Sequence, residues 1–455
     1  MKQKSLKIGN AQAFWGDSND APAKLLEQQP DLDFLTLDYL SEVSLSIMAV
    51  QRSKDPNSGY ARDFIDVVKS IIPFWLKGAK VKIVTNAGGL DPKRCALACR
   101  EVLQQAGCTS MRIGIVSGDD VLAMIKADPN NASFANLEDG HSIAEILDQL
   151  STANAYLGAR PIVAALQQGA NIVITGRVAD PSLTVGPCVA HFDWKWDDYN
   201  RLAQATVAGH LLECGTQVTG GISTLWCELT NSVDIGFPVV EMAENGEFVV
   251  TKPSMSGGRV TLETVKEQLL YEIGDPDNYL SPDVTLSMLT LALNEDRKDR
   301  VAVVGAKGRP PPPTYKVSAT YRDGYKAEGS LAIFGRDAKD KAQRCGEIIL
   351  ERVRRAGFAL ERSCIECLGT GAVVPGIWSP EQPLECLMRI CVADHRLEAV
   401  ECFTKQLAPM VTSGPPGTTG YTSGRARVRP IFGYWPCLIG TKAIEAKVEV
   451  VEVQA

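Results

Sequence analysis

The segment KVKIVT at 80–85 runs into Asn86-Ala87-Gly88-Gly89 and then into DPKRCALACREVLQQAG: an apolar strand, a polar glycine turn and a helical repeat with proline in its first turn. The unit recurs. MRIGIV at 111–116 leads into Ser117-Gly118-Asp119-Asp120, and NIVIT at 171–175 leads into Gly176-Arg177-Val178-Ala179-Asp180. Successive strands that alternate with helices can rejoin a sheet only through crossovers, which makes them parallel. Three such units therefore constrain the chain to an α/β fold with an open, mostly parallel sheet and helices on both faces. LKIGNA at 6–11 and DFLTLD at 33–38 add strands, and helical patterns fall near 60–77, 142–150 and 159–169.

Residues 1–215 read as one Rossmann-like α/β domain ending with the helix YNRLAQATVAGHLLECG. From 216 to 315 glycine, proline and short β-prone runs predominate, which predicts a loop-rich, β-containing subdomain. The tract Gly308-Arg309-Pro310-Pro311-Pro312-Pro313 reads as an extended connector. Residues 316–455 are expected to form a C-terminal α+β domain, in which YKVSATYR and YKAEGSLAIFG pair as a hairpin across Asp323-Gly324. A helix over 338–356, a strand around 384–392, a helix over 394–408 and a strand over 442–453 complete it. In the last strand Ile444, Ala446, Val448 and Val450 alternate with Glu445, Lys447 and Glu449, and Val451 breaks the period, predicting a bulge or a frayed end.

Acidic residues number 54 against 47 basic ones, a formal charge of -7, and the short cluster Arg352, Arg354, Arg355 lies beside Glu347 and Glu351. Neither feature suits a nucleic-acid partner, which needs a basic footprint. No apolar run approaches the roughly 18 residues of a membrane span, and LKIGNAQAFWGD lacks the apolar core of a secretory signal. A cytoplasmic homo-oligomer that binds a small molecule is expected. The thirteen cysteines are scattered and often apolar in context, which favours reduced, buried thiols.

Ligands of open parallel sheets bind beyond the carboxyl ends of the strands, and three clusters occupy that position. Asn86, Gly88 and Gly89 can offer backbone N–H groups to an anion or carbonyl, or form a plain tight turn. Of Asp119 and Asp120, one can cap a helix while the other binds substrate or a metal, or takes a proton. Arg177 can fork onto a carboxylate or phosphate with Asp180 orienting it, or the two can form a structural pair. A fourth constellation lies on one helix face: His210, Glu213 and Cys214, followed by Gln217, Thr219, Gly220 and Gly221.

In that group histidine can shuttle a proton, glutamate can orient it or act as acid and base, and cysteine can be a nucleophile. A satisfied interdomain contact is the structural alternative. With four histidines in the chain, His141, His191, His210 and His395, a three-histidine zinc site would use nearly all of them, and no metal is expected. Cys364-x-x-Cys367 has no second matching pair and reads as packing. The turns Tyr271–Asp283 and Ser413–Gly420 have the composition of lids or substrate loops, and also of ordinary turns.

The stretches GNAQAFWGD (9–17), TNAGGLDP (85–92), SGDD (117–120), ANAYLGARPI (153–162), ITGRVADPSLTVGP (174–187), GHLLECGTQVTGG (209–221), FPVVEM (237–242), LLYEIGDPDNYLSPDV (269–284) and GYWPCLIG (433–440) resemble the acyclic terpene utilisation AtuA family. The resemblance spans nearly the whole chain in order. It implies a link to bacterial breakdown of acyclic terpenes such as citronellol and geraniol, through branched acyl-CoA intermediates, without fixing a reaction. Some members carry a further ferredoxin-like C-terminal domain, which is not expected here.

Together these features lead to an expected lyase or hydro-lyase working by acid–base chemistry on a small hydroxylated or unsaturated carboxylate or acyl-CoA. Coenzyme A would enter as part of the substrate; no other cofactor is indicated. The expected catalytic residues are His210, Glu213, Asp119, Asp120 and Asp180, and the expected substrate-binding residues are Asn86, Gly88, Gly89, Arg177, Gln217, Thr219, Gly220 and Gly221. The alternatives are acyl transfer or thioester hydrolysis through Cys214, and a non-catalytic ligand-binding or scaffold subunit.

Overall fold

The five apolar runs of the repeat form β1 (Ser5–Asn10), β2 (Phe34–Leu37), β3 (Lys82–Thr85), β4 (Arg112–Ser117) and β5 (Ile172–Thr175), side by side and parallel. The computed structural model that shows them describes residues 5–377, 383–421 and 424–454. Ile172 of β5 pairs with Ile83 of β3 on one side and Ile113 of β4 on the other. The chain thus steps from β1 to β2 to β3, passes to β4 and returns to β5. The direction of winding reverses between β3 and β5, the position at which such sheets open a crevice.

Helices cover both faces. Leu35, Leu37, Ile83, Ile113, Ile115, Ile172 and Ile174 share a core with the helices Ala21–Gln28, Asp63–Leu76 and Pro92–Gln105. The helices Arg160–Gln167, Ser182–Phe192 and Tyr199–Glu213 pack on the opposite side. With no wet face, all four residues of β2 and of β5 are buried, so these strands read as apolar runs rather than alternations.

The chain divides into two units, Met1–Thr320 with Tyr434–Ala455, and Tyr321–Gly433. Residues 216–315 stay with the first unit. Their strands β6 (Val239–Ala243), β7 (Phe248–Thr251), β8 (Ala292–Arg297) and β9 (Arg300–Val304) extend the main sheet antiparallel in the order β8-β9-β7-β6-β1-β2-β3-β5-β4. Beyond β4 the ten-stranded sheet ends with the C-terminal strand (Lys447–Glu452), antiparallel to β4.

That last pairing is unbroken from Lys447 opposite Ser117 to Glu452 opposite Arg112, so no bulge occurs at Val451. The period breaks because both faces of this edge strand meet protein: Val450 is half-buried on one face while Val451 packs against the main core on the other. The pattern at 142–150 is a 3-10 helix, Ile143–Gln149, opened by a Ser142–Glu145 capping box, and not an α-helix.

In the second unit the predicted hairpin is absent. Thr314–Phe334 is one continuous strand, β10, whose second half, Tyr325–Phe334, pairs with β12 (Glu385–Asp394). Gly324 adopts φ +84 within it, and a Cβ there would lie 2.7 Å from the Asp394 carbonyl, so the glycine permits a close passage inside a strand rather than a reversal. β11 (Arg362–Leu368) flanks β12, and the helices Ala338–Arg355 and Leu397–Thr404 cover one face, burying Cys345, Ile349, Val353, Val400 and Phe403 against Met388, Ile390 and Val392. All thirteen cysteines are free thiols, and Cys367 is buried while Cys364 is exposed.

Candidate active site

Four of the five parallel strands of the first unit deliver polar residues beyond their carboxyl ends. Asp38 follows β2, Asn86 follows β3, Arg177 and Asp180 follow β5, and Asp119 follows β4. Asn86 donates from Nδ2 to Asp38 Oδ1 at 2.7 Å and accepts the Tyr39 N–H at 2.7 Å. Burial pushes Asp38 up to about 6, against the pull of Arg177 and the Asn86 hydrogen bond and helped by the charge of Glu213.

Arg177 is the hub. Its backbone N–H donates to Asp119 Oδ2 at 2.9 Å, its guanidinium donates to the Leu40 carbonyl and at 2.7 Å to Asp180 Oδ1, and it lies 4.1 Å over the ring of Tyr156. Burial opposes its charge, yet Asp180, Tyr156 and Asp38 outweigh that and hold its protonation above the ordinary range. Asp119 is buried, accepts a second bond from Asn154 at 2.8 Å, and is pushed by burial up to about 6. A Cβ on Gly176 would come within 2.4 Å of Asp119 Oδ1, so glycine is required there for the carboxylate to reach the backbone.

Asp180 has a different character. Burial, then the charges of Asp38, Glu213 and Glu42, raise it well above the usual carboxylate range in spite of Arg177, yet 32% of its side chain is open. Asp180 is thus surrounded by protein and still partly open to solvent. Glu42 is exposed, and its charge is felt by both Asp180 and Arg177.

The helix Tyr199–Glu213 ends over the same place, because Asn10 at the end of β1 donates from Nδ2 to the Leu212 carbonyl at 2.5 Å. His210 is buried, with Nε2 2.9 Å from the Gln268 carbonyl and Nδ1 3.1 Å from Glu213 Oε1. A carbonyl only accepts, so Nε2 carries a proton, and the His210–Glu213 pair shares one more. Burial lowers His210, but the Glu213 hydrogen bond and charge prevail and raise it above its ordinary value. Glu213 Oε2 is buried without a hydrogen-bond partner.

Tyr279 closes this side, its ring 6.3 Å from that of His210 and its hydroxyl raised by burial and by Glu213, Asp180 and Glu272. Asp283, in the same segment, accepts from Ala159 N–H at 2.8 Å and from Ser182 Oγ at 2.6 Å, tying together the first turns of two helices. The Tyr271–Asp283 turn is therefore a strut of the site.

Asn86, Asp119, Arg177, Asp180, His210 and Glu213 fall in three hydrogen-bonded groups, and the charges of Asp38, Glu213 and Arg177 couple them; other expected residues lie outside. Asp120 is exposed and accepts the Leu122 N–H at 3.0 Å as a local cap. The amides of Ala87, Gly89, Leu90 and Asp91 are spent within the turn and its neighbours, and Asp91 already caps the following helix. A Cβ on Gly88 would meet the Thr175 carbonyl at 2.5 Å. Thr219 donates to the Gly236 carbonyl at 2.7 Å, Gly220 and Gly221 bond back to Gln217 and Thr216, and Gln217 adjoins Tyr271. Cys214 is raised by burial and by Glu213, Glu272 and Asp38. Among the described residues no group of three or more His, Cys, Asp or Glu is arranged to hold a metal ion.

Asp38 and Tyr156 are the residues that sequence reasoning passed over; Tyr279 lies in the Tyr271–Asp283 turn whose composition suited a substrate loop. Asp38 carried a usable signal, an acid at the carboxyl end of an apolar strand. Tyr156 carried none.

The model of the acyclic terpene utilisation family protein AtuA matches residues 6–450. The chain belongs to the AtuA family. Neither a curated protein nor a solved structure matches it. The stretches that resemble the AtuA family supply Asn10, Asn86, Asp119, Arg177, Asp180, His210, Glu213 and Tyr279, so motifs spread from 9 to 284 in this sequence meet around one group of strand ends.

Proposed function

We propose that this protein is an acid–base enzyme of lyase or hydro-lyase type, acting on a small hydroxylated or unsaturated carboxylate or its acyl-CoA thioester. The observation that carries the reading is the contrast between two neighbouring carboxylates. Glu213 keeps a buried oxygen without a hydrogen-bond partner and is backed by His210, whereas Asp180 is driven toward its protonated form at a partly open position. Two titratable groups whose surroundings separate their roles are the signature of an acid and a base.

In this mechanism Glu213 Oε2 takes the proton beside the substrate carbonyl, and His210 positions Glu213 and spreads the resulting charge through their shared proton. Asp180 gives its proton to the departing hydroxyl, and Arg177 stabilises the carboxylate that results. Asp38, Asn86 and Asp119 hold Arg177 and the strand ends in place. The AtuA family's connection to acyclic terpenes supports branched, unsaturated acids as the substrate class. Cysteine chemistry is less well supported, because burial, and after it the surrounding carboxylates, keep Cys214 as a thiol.

The test is a panel of short branched β-hydroxy and α,β-unsaturated acids, free and as CoA thioesters, followed by the absorbance of the conjugated double bond. Gain or loss of conjugation that disappears in Glu213→Gln and Asp180→Asn supports the proposal. A thioester hydrolysed to free thiol without change in the double bond, and dependent on Cys214, contradicts it.

A further inference from the structure

The second unit has one face of its sheet away from its helices. Along that face the strands β10, β12 and β11 align Lys326, Ala393 and Arg362 in one row and Glu328, Cys391 and Cys364 in the next. A groove of about 800 Å³ lies over these rows, walled by Arg425, Arg427, Arg429 and Ile431. The three arginines are exposed and spaced by two residues, as an extended chain sets side chains on one side.

Five cations therefore line the groove against a single acid, Glu328, in a chain whose net charge is -7. Arg362 is held by Asp323 at 2.8 Å. Lys326, Arg425, Arg427 and Arg429 enter no ion pair among the described residues. Unpaired cations converging on one hollow repel one another, and that repulsion is relieved when a multiply charged anion binds. Guanidinium groups match phosphate oxygens as forks.

We infer that this groove is a binding site for a small molecule carrying two or more phosphate groups. Its volume falls within the range of small-ligand sites. Its floor is made of the small side chains Cys364, Cys391 and Ala393, which leave room for the ligand. Its lining contains no aromatic residue, so it lacks the stacking platform with which sheet faces hold single-stranded nucleic acid.

Calorimetry on the full chain with inorganic pyrophosphate, inorganic phosphate and a short single-stranded oligonucleotide tests the inference. Pyrophosphate is expected to bind more tightly than phosphate, and the triple variant R425A/R427A/R429A to weaken it by about tenfold or more, with R425K/R427K/R429K retaining part of the affinity. Pyrophosphate should also slow alkylation of the exposed Cys364 in the wild type and not in the alanine triple. The arginines are exposed, so the substitutions leave the core intact. Pyrophosphate affinity that is undetectable in the wild type or unchanged in the alanine triple would overturn the inference, as would tighter binding of the oligonucleotide.

Discussion

His210 and Glu213 form one protonic unit: the imidazole, fixed at Nε2 by the Gln268 carbonyl, points Nδ1 at Glu213 Oε1 from 3.1 Å. Both ring nitrogens are therefore committed, and the free atom of the pair is Glu213 Oε2. The consequence can be measured directly. By imidazole NMR, His210 should titrate above its ordinary value of 6.5 in the wild type. In Glu213→Gln the carboxylate's raising effect is gone and burial remains, so the titration should fall below 6.5.

Asp119 gives a pH dependence of stability with a definite sign. Its carboxyl titrates at about 6 in the folded protein against an ordinary 3.8, so the folded state binds that proton more tightly. The stabilisation is complete below the ordinary value and is lost as pH rises through about 6. Asp119→Asn keeps an acceptor for Arg177 N–H and Asn154 and does not titrate. Urea unfolding should show the wild type losing up to about 3 kcal/mol relative to Asp119→Asn between acid and neutral pH. Parallel pH profiles for the two proteins would refute the assignment.

Cys214 is expected to resist iodoacetamide near pH 8 while the exposed Cys227 and Cys364 react, because burial and three carboxylates disfavour its thiolate. Peptide mapping after a short pulse reads the order. Labelling of Cys214 ahead of both would restore it as a nucleophile.

Gly88→Ala should destabilise the protein by about 2–3 kcal/mol, because its new Cβ meets the backbone of Thr175 at 2.5 Å and Pro92 at 2.8 Å, neither of which can swing aside. Gly274→Ala meets nothing within 4 Å and should change stability by less than about 0.5 kcal/mol. Thermal melts of the two variants compare them.

The parallel core was legible because its strands are covered on both faces and so appear as uninterrupted apolar runs, each ended by a polar turn. The same two-sided burial misled at Val451, where an unbroken edge pairing loses its alternation. At Gly324 a glycine turn signal marked close packing inside a strand, a distinction that depends on Asp394, seventy residues away in sequence. In the site, residues next to strand ends could be located one strand at a time. Which of them meet could not: Asp38 reaches Asn86 only because β2 and β3 are neighbours, and Arg177 stacks on Tyr156 through a contact that local pattern does not encode. Asp120 and the Gly88-Gly89 turn looked as chemical as Asp119, and their hydrogen bonds prove local.

The proposed removal of a proton beside a substrate carbonyl by Glu213, with Asp180 as the partnering acid, can be followed by incubating the protein in deuterium oxide with short branched acyl-CoA thioesters and reading deuterium at the carbon next to the carbonyl by mass spectrometry. Incorporation is expected with the wild type and with Asp120→Asn and should be lost in Glu213→Gln. Incorporation by Glu213→Gln at the wild-type rate would rule Glu213 out as the base.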